Sequence, residues 1–334
     1  MPAIANLGER ALIDRLRNRV GPIASPVVIG IGDDAAVIEP ERGALDVVTT
    51  DSLVEGVHFR RDWTSAAAIG HKALAVSLSD LAAMGATPRA SLLSLALPPQ
   101  FEVDDFDALV DAFVRLAQTS GATLVGGNLT RSPGPVIVDV TAMGAVARRR
   151  LLRRDTARAG DALYVTGHIG AAAAGLLMLE AGVDRATLDR AGAECLERYE
   201  RPDPRTRCGR IVGRTRAASA CIDLSDGLAD AVRRLAEGCG AGAVIEAEAV
   251  PVHAGLQAWA AARGLDATTT AISGGEDYEL AFAVSPRRRN RFLGATRRCK
   301  DLPVTCIGRL VPEPGVWLTR NGTHESVDTG YSHF

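Results

Sequence analysis

Apolar positions along this chain recur with two periods, and the two alternate. Leu12, Ile13 and Leu16 share one face of a predicted helix over Glu9–Val20. Residues 66–84 form an alanine-rich helical run, ended by Gly85-Ala-Thr-Pro88. Phe106, Leu109, Val110, Phe113 and Leu116 have helical spacing over 104–118. Between these lie short apolar runs at 27–31, 45–48, 90–97, 122–125 and 136–146, which read as strands. The second half repeats the mixture. Strands are predicted at 162–166, 218–222, 243–246, 279–284 and 304–310, with a further apolar triplet at 316–318. Helices are predicted at 171–180, 187–200, 228–237 and 256–263, with Pro202 and Pro204 closing the second of them.

Strands mixed with helices in both halves predict an α/β (α+β) protein. A chain of 334 residues is long for one core, so two domains are expected. The basic, polar stretch 148–158 is the natural boundary, giving domains 1–147 and 148–334. Hydrophobic residues make up 47% and charged residues 23%, the balance of an ordinary globular protein. A net charge of −2 gives no electrostatic case for nucleic acid. No apolar run reaches bilayer length, and residues 1–10 lack a signal-peptide pattern. The six cysteines all follow residue 194 and form no Cys-x-x-Cys pair, so a cytoplasmic protein with reduced thiols is expected. Lys72 and Lys300 are the only lysines; arginine supplies nearly all the positive charge.

Carboxylates and hydroxyls stand where several apolar runs end. Gly30-Ile-Gly-Asp-Asp-Ala-Ala-Val37 carries Asp33 and Asp34, and Val48-Thr-Thr-Asp-Ser-Leu-Val-Glu-Gly-Val-His-Phe59 carries Thr49, Thr50, Asp51 and His58. Asp80 lies in Ser77-Leu-Ser-Asp80, Asp223 and Asp226 in Asp-Leu-Ser-Asp-Gly, and Glu276 and Asp277 in Ser-Gly-Gly-Glu-Asp-Tyr-Glu279. Adjacent acids repel unless a cation or a proton sits between them. Oxygen donors without histidine or cysteine partners suit a hard cation such as Mg²⁺. Simpler readings compete: Asp33-Asp34 as turn residues, and Ser225 or Asp226 as a cap on the helix that follows. Gly126-Gly127-Asn128, after a strand, can offer backbone N–H groups to a phosphate or form a plain turn.

Two nucleotide motifs are rejected. Gly30-x-Gly32-x-x-Ala35 fits a dinucleotide fingerprint formally, yet Asp33 and Asp34 stand where the anion would approach. A P-loop needs Gly-Lys-Ser/Thr, and neither lysine follows a glycine.

Taken in order, these motifs strongly resemble the thiamine-monophosphate kinases, over essentially the whole chain from about Leu7 to Phe334. The Val-His-Phe and Gly-Gly-Glu-Asp-Tyr-Glu-Leu segments point to that family within the superfamily named for aminoimidazole ribonucleotide synthetase. The resemblance implies synthesis of thiamine diphosphate from thiamine monophosphate and ATP. It also implies an N-terminal α/β domain whose sheet pairs across a homodimer into a barrel, and a C-terminal α/β domain that completes the active-site cleft. By motif match, Asp33, Thr49, Thr50, Asp51, Asp80, Asp223 and Asp226 take family Mg²⁺ positions. Gly127, Asn128, Arg154 and Ser225 take ATP positions; His58, Glu276 and Tyr331 take substrate positions. Asn128 replaces the family's usual Asp, and its amide oxygen is the one ligand of reduced charge. Arg153 is a rival for the role of Arg154, with Asp51, Asp226 and Arg154 expected to carry the chemistry. A sibling enzyme acting on an amidine ribonucleotide, a two-metal phosphohydrolase and a non-catalytic nucleotide binder are the alternatives.

Overall fold

The computed structural model describes residues 3–299 and 302–327, which divide into two units, 1–81 with 87–148 and 82–86 with 149–334. In the first unit α1 (Glu9–Val20) is followed by the short antiparallel pair β1 (Val27–Ile29) and β2 (Val37–Ile38). Then come β3 (Ala44–Val54), α2 (Ala66–Ala83), β4 (Thr87–Leu97), α3 (Val103–Ser120), β5 (Thr123–Arg131) and β6 (Ile137–Ala147). The four long strands form a sheet in the order β3-β6-β4-β5, with only β4 and β5 parallel, joined through α3.

The pleat of this sheet sorts its residues by face. Leu93, Leu95, Val138, Val140 and Ala142 are buried on the helix side. The opposite side carries Leu92, Ser94, Asp139, Thr141 and Met143, which line a cavity. Arg15 and Arg19 on α1 both pair with Asp107 on α3, at 2.7 and 2.9 Å, tying α1 to that helix.

The second unit contains β7 (Ala162–Thr166), α4 (Ala171–Glu180), α5 (Arg190–Glu200), α6 (Thr206–Thr215), β8 (Ala220–Asp223), α7 (Leu228–Glu237) and β9 (Gly242–Glu246). It continues with α8 (Ala254–Ala261), α9 (Ala267–Ser273), β10 (Leu280–Val284), α10 (Arg289–Thr296), β11 (Val304–Val311), β12 (Val316–Arg320) and β13 (Thr323–Ser326). Seven strands make one sheet in the order β13-β12-β9-β11-β7-β10-β8. Strands β7, β8 and β10 are apolar along most of their length, as expected where both faces are covered. One side packs Tyr164 and Phe282 around Phe292 of α10, with ring centroids 5.0 and 5.3 Å from the last. Cys208, Cys221 and Cys299 fill the same core, and all six cysteines are free thiols.

Candidate active site

Strand β3 runs through the second acid motif; it does not end before it. Thr49, Thr50, Asp51 and Ser52 therefore alternate between faces. Thr49 Oγ1 donates to Asp80 of α2, and Ser77 Oγ of the same helix donates to Asp51 at 2.7 Å. Thr49, Asp51 and Asp80 thus form one oxygen-rich cluster against α2. Burial pushes the Asp51 carboxyl up to about 6; the Asp80 charge adds to this, and the Ser77 hydrogen bond opposes it. Two acids and a threonine gathered in a half-buried place, one of the acids holding its proton too strongly, are suited to a hard cation. The pleat sends Thr50 and Ser52 the other way. Thr50 receives a hydrogen bond from Thr141 at 3.3 Å, and Ser52 bonds Asp139.

On that second face lies a cavity of about 1190 Å³, lined among others by Asp33, Asp34, Gly127, Asn128 and Asp139. Asp33 and Asn128 therefore share a place with each other and are not joined to the Asp51–Asp80 cluster. Among the described residues, no three His, Cys, Asp or Glu side chains converge as a preformed metal site. The loop reading of Gly126-Gly127-Asn128 is corrected: all three lie within β5, paired in parallel with Leu92, Leu93 and Ser94. A Cβ on Gly127 would penetrate the Leu93 carbonyl, so strand pairing alone demands glycine there. As an edge strand, β5 still has backbone groups on its free side. The register slip between Ser91 and Leu92 marks a bulge beside it.

His58 is fixed in the turn after β3, where its Nδ1 accepts the Val54 N–H at 3.1 Å. That bond assigns the neutral ring's proton to Nε2, which makes Nε2 a donor. The buried Lys72 of α2 reaches the His58 carbonyl at 3.4 Å.

In the second unit two acid loops are laced together. Glu276 N–H donates to the Ser225 carbonyl at 2.7 Å, and Tyr278 N–H to that of Leu224 at 3.0 Å. Asp223, Ser225, Asp226 and Glu276 are therefore neighbours, although 45 residues (228–272) separate the two motifs. Neither Ser225 nor Asp226 caps α7; Gly227 holds the cap position without a side-chain bond. Asp226 meets Arg234 at 3.4 Å, and Asp230 also engages that arginine. Glu276 and Tyr278 both have positive φ, 69° and 49°, an arrangement that costs energy in residues other than glycine. Between them Asp277 accepts the Gly170 and Ala172 N–H groups at the start of α4, at 2.6 and 3.1 Å. Its complete burial pushes its carboxyl up to about 7, against the pull of those two amides. Arg205 grips the buried Glu279 with both arms of its guanidinium, and Thr166 donates to the same carboxylate at 2.6 Å.

Arg153 pairs with Asp155 through two bonds, one of them Nε–Oδ1 at 2.8 Å. Arg154 has no such partner among the described residues and is exposed. Tyr331 lies outside the described residues. Motif reading missed Asp139 as a site residue. Its signal is period-two alternation, since Asp139 and Thr141 are the polar steps of an otherwise apolar β6. It also missed Arg205 as the partner of Glu279 and the α4 amides as the partners of Asp277, for which the sequence offers no local cue.

Two domains, each an α/β sheet presenting carboxylate and hydroxyl clusters, define the class. Residues 32–146 match the AIR synthase related protein N-terminal domain, and residues 158–320 match its C-terminal domain. The chain is 38% identical to the thiamine-monophosphate kinase of Salmonella typhimurium strain LT2 over 98% of both chains. The crystal structure of thiamine-monophosphate kinase from Stenotrophomonas maltophilia K279a superposes with a TM-score of 0.82 at 39% identity, covering 92% of this chain and 95% of that one. AaThiL complexed with AMPPCP and TMP superposes with a TM-score of 0.78 at 31% identity, over 100% and 99% of the two chains. This chain belongs to the thiamine-monophosphate kinase family.

Proposed function

We propose that the enzyme transfers the γ-phosphoryl group of ATP directly to thiamine monophosphate. An oxygen of the acceptor phosphate attacks Pγ, the bond from Pγ to the β,γ-bridging oxygen breaks, and ADP leaves with the electron pair. The observation that carries this reading is the Thr49–Asp51–Asp80 cluster, an all-oxygen donor set in a family member. The relative bound to AMPPCP and TMP supports both substrates.

Asp33, Thr49, Thr50, Asp51, Asp80, Asp223 and Asp226 are the Mg²⁺ ligands in this reading, with Asn128 contributing an amide oxygen. Bound Mg²⁺ supplies charge neutralisation between phosphates and carboxylates and holds the reacting groups in line. The protein's own groups do the rest. Gly127, Asn128 and Ser225 orient ATP. Arg154, free of the carboxylate that occupies Arg153, stabilises the transferring phosphoryl group through a guanidinium fork. His58 donates from Nε2 to the acceptor phosphate, and Glu276 complements the thiazolium charge. Tyr331 is assigned to the substrate on its closing motif alone. No general base is required, because the acceptor phosphate is already ionised near neutral pH.

The open face of the four-stranded sheet, with Val48 60% exposed at its edge strand β3, supports a homodimer that closes a barrel. Light scattering at micromolar concentration is expected to give twice the chain mass; a fully active monomer overturns the dimer. The deciding test of function is incubation with ATP, thiamine monophosphate and Mg²⁺. Chromatography is expected to show thiamine diphosphate and ADP in equal amounts. Release of inorganic phosphate without thiamine diphosphate would favour a phosphohydrolase instead.

A further inference from the structure

A second cavity, of about 970 Å³, lies wholly within the second unit. Its lining includes Arg149, Arg150, Arg158, Arg216, Arg287 and Arg288. These six arginines come from three separate segments, before β7, after α6 and before α10, so the chain's fold gathers them. Two acids, Asp155 and Asp161, share the lining, and neither neutralises them. Asp155 is taken by Arg153, and the buried Asp161 accepts the Arg158 backbone N–H at 3.2 Å. Arg288 donates to the Ala218 carbonyl at 2.6 Å. Among the described residues, the side chains of Arg149, Arg150, Arg158, Arg216 and Arg287 have no carboxylate or hydrogen-bond partner.

Five uncompensated guanidiniums around one concavity repel one another and concentrate positive potential there. That arrangement is matched by an anion with several charges close together. Guanidinium forks pair bidentately with phosphate oxygens, and five of them offer more forks than the oxygens of one phosphate can pair in that way. No aromatic side chain lines the cavity, so it lacks the stacking platform of a single-strand nucleic-acid groove.

The location separates this cavity from the acid loops. It surrounds the beginning of β8 and the end of β10, whereas Asp223 ends β8 and Glu279 precedes β10. The four residues of β8 span about 10 Å, so the two places are at opposite ends of the sheet. One strip of chain borders both. Cys221 N–H donates to the Arg153 carbonyl at 3.3 Å, and Thr156 Oγ1 donates to the Ser219 carbonyl at 2.7 Å. Residues 153–156 thus run along β8, with Arg154 between these two rungs.

We propose that this arginine-lined cavity is a second anion site, taking a small soluble ligand with two or more adjacent phosphates. It does not rest on the phosphoryl-transfer reading, and its test involves no turnover. Calorimetric titration of the full chain with tripolyphosphate, in Mg²⁺-free buffer with chelator, is expected to give one ligand per chain. Arg150→Gln combined with Arg287→Gln is expected to weaken it at least tenfold, while Asp223→Asn and Arg154→Gln leave it unchanged. Inorganic phosphate is expected to bind at least tenfold more weakly than tripolyphosphate. ATP and tripolyphosphate are each titrated into the parent and into the double variant, and only binding that the double substitution weakens is counted for this cavity. If ATP shows the larger such loss the phosphates belong to a nucleotide; if tripolyphosphate does they belong to an inorganic chain. ATP binding that the double substitution leaves unchanged belongs to the site proposed above and gives this cavity no support. Absence of binding, insensitivity to the double substitution, equal affinity for inorganic phosphate, or stronger binding of a twelve-nucleotide single strand would each overturn it. Circular dichroism of the double variant is expected to match the parent; if it does not, Arg158→Gln alone is used in the same titration.

Discussion

Ser77 Oγ and Asp51 Oδ2 lie 2.7 Å apart, a helix hydroxyl holding a strand carboxylate whose other near neighbour is the charge of Asp80. The carboxylate is therefore positioned but not neutralised. Asp51→Asn is expected to lower turnover at least about a hundredfold while unfolding stays cooperative. A loss of that size is about 2.7 kcal/mol of transition-state stabilisation. Asp226→Asn is expected to do the same. Near-native turnover at saturating Mg²⁺ in either variant would remove that residue from the proposed site.

The titration of Asp51 predicts a pH dependence. Its folded value of about 6 lies above the ordinary 3.8. In Mg²⁺-free buffer, its contribution to stability is full below about 3.8 and is lost as pH rises toward 6. Cation binding has the opposite sign, because the proton must leave first. Below pH 6 the Mg²⁺ concentration for half-maximal activity should climb, by up to about tenfold per pH unit. A requirement flat from pH 7 to pH 5 would show that Asp51 is not the controlling ligand.

His58→Ala and Glu276→Ala are expected to raise the Michaelis constant for thiamine monophosphate at least about fivefold and that for ATP little. Losing one charge-assisted hydrogen bond is worth about 1.5–3 kcal/mol, ample for this change. Steady-state kinetics with each substrate varied in turn would decide; an effect confined to ATP contradicts both assignments.

Gly127→Ala should destabilise the fold by about 3 kcal/mol or more, since its Cβ would meet the Leu93 backbone inside the β4–β5 pairing. Gly134→Ala, at a position with open space around it, should be nearly neutral. Denaturant unfolding of the two variants checks this, and equal midpoints would refute the packing argument.

Much of the architecture was legible because apolar periodicity survives where one face is buried. Helices α1, α4 and α7 fall on their expected bounds. Helices α6, α9 and α10 were not anticipated, for physical reasons. α6 and α10 are short, their arginines are exposed, and their buried faces are made largely of small residues, Cys208, Gly209, Val212 and Gly213 in α6 and Phe292, Ala295 and Thr296 in α10, so little apolar periodicity shows. α9 is threonine-rich and owes its start to Asp266, which accepts the Thr268 and Thr269 N–H groups. The polar half of β3 reads as a loop because its residues bond to other polar groups on both faces. At the candidate site the motifs marked Asp51, Asp80, Asp223 and Glu276. Which acids and hydroxyls become neighbours depends on pleat and on loop pairing, neither of which a motif carries: Thr49 and Thr50 are adjacent in sequence and face opposite ways.

Asp277 anchors its loop at the middle, with both oxygens on α4 amides and a left-handed residue on either side. The direction in which residue 276 projects is thus set by a neighbour that need never touch substrate. Evolution can exchange the side chain at 276 and present a different chemical group to the same point, without rebuilding the loop. Drift at 277 has no such freedom. With Glu276 at the substrate as proposed, specificity and scaffold are separated by a single peptide bond.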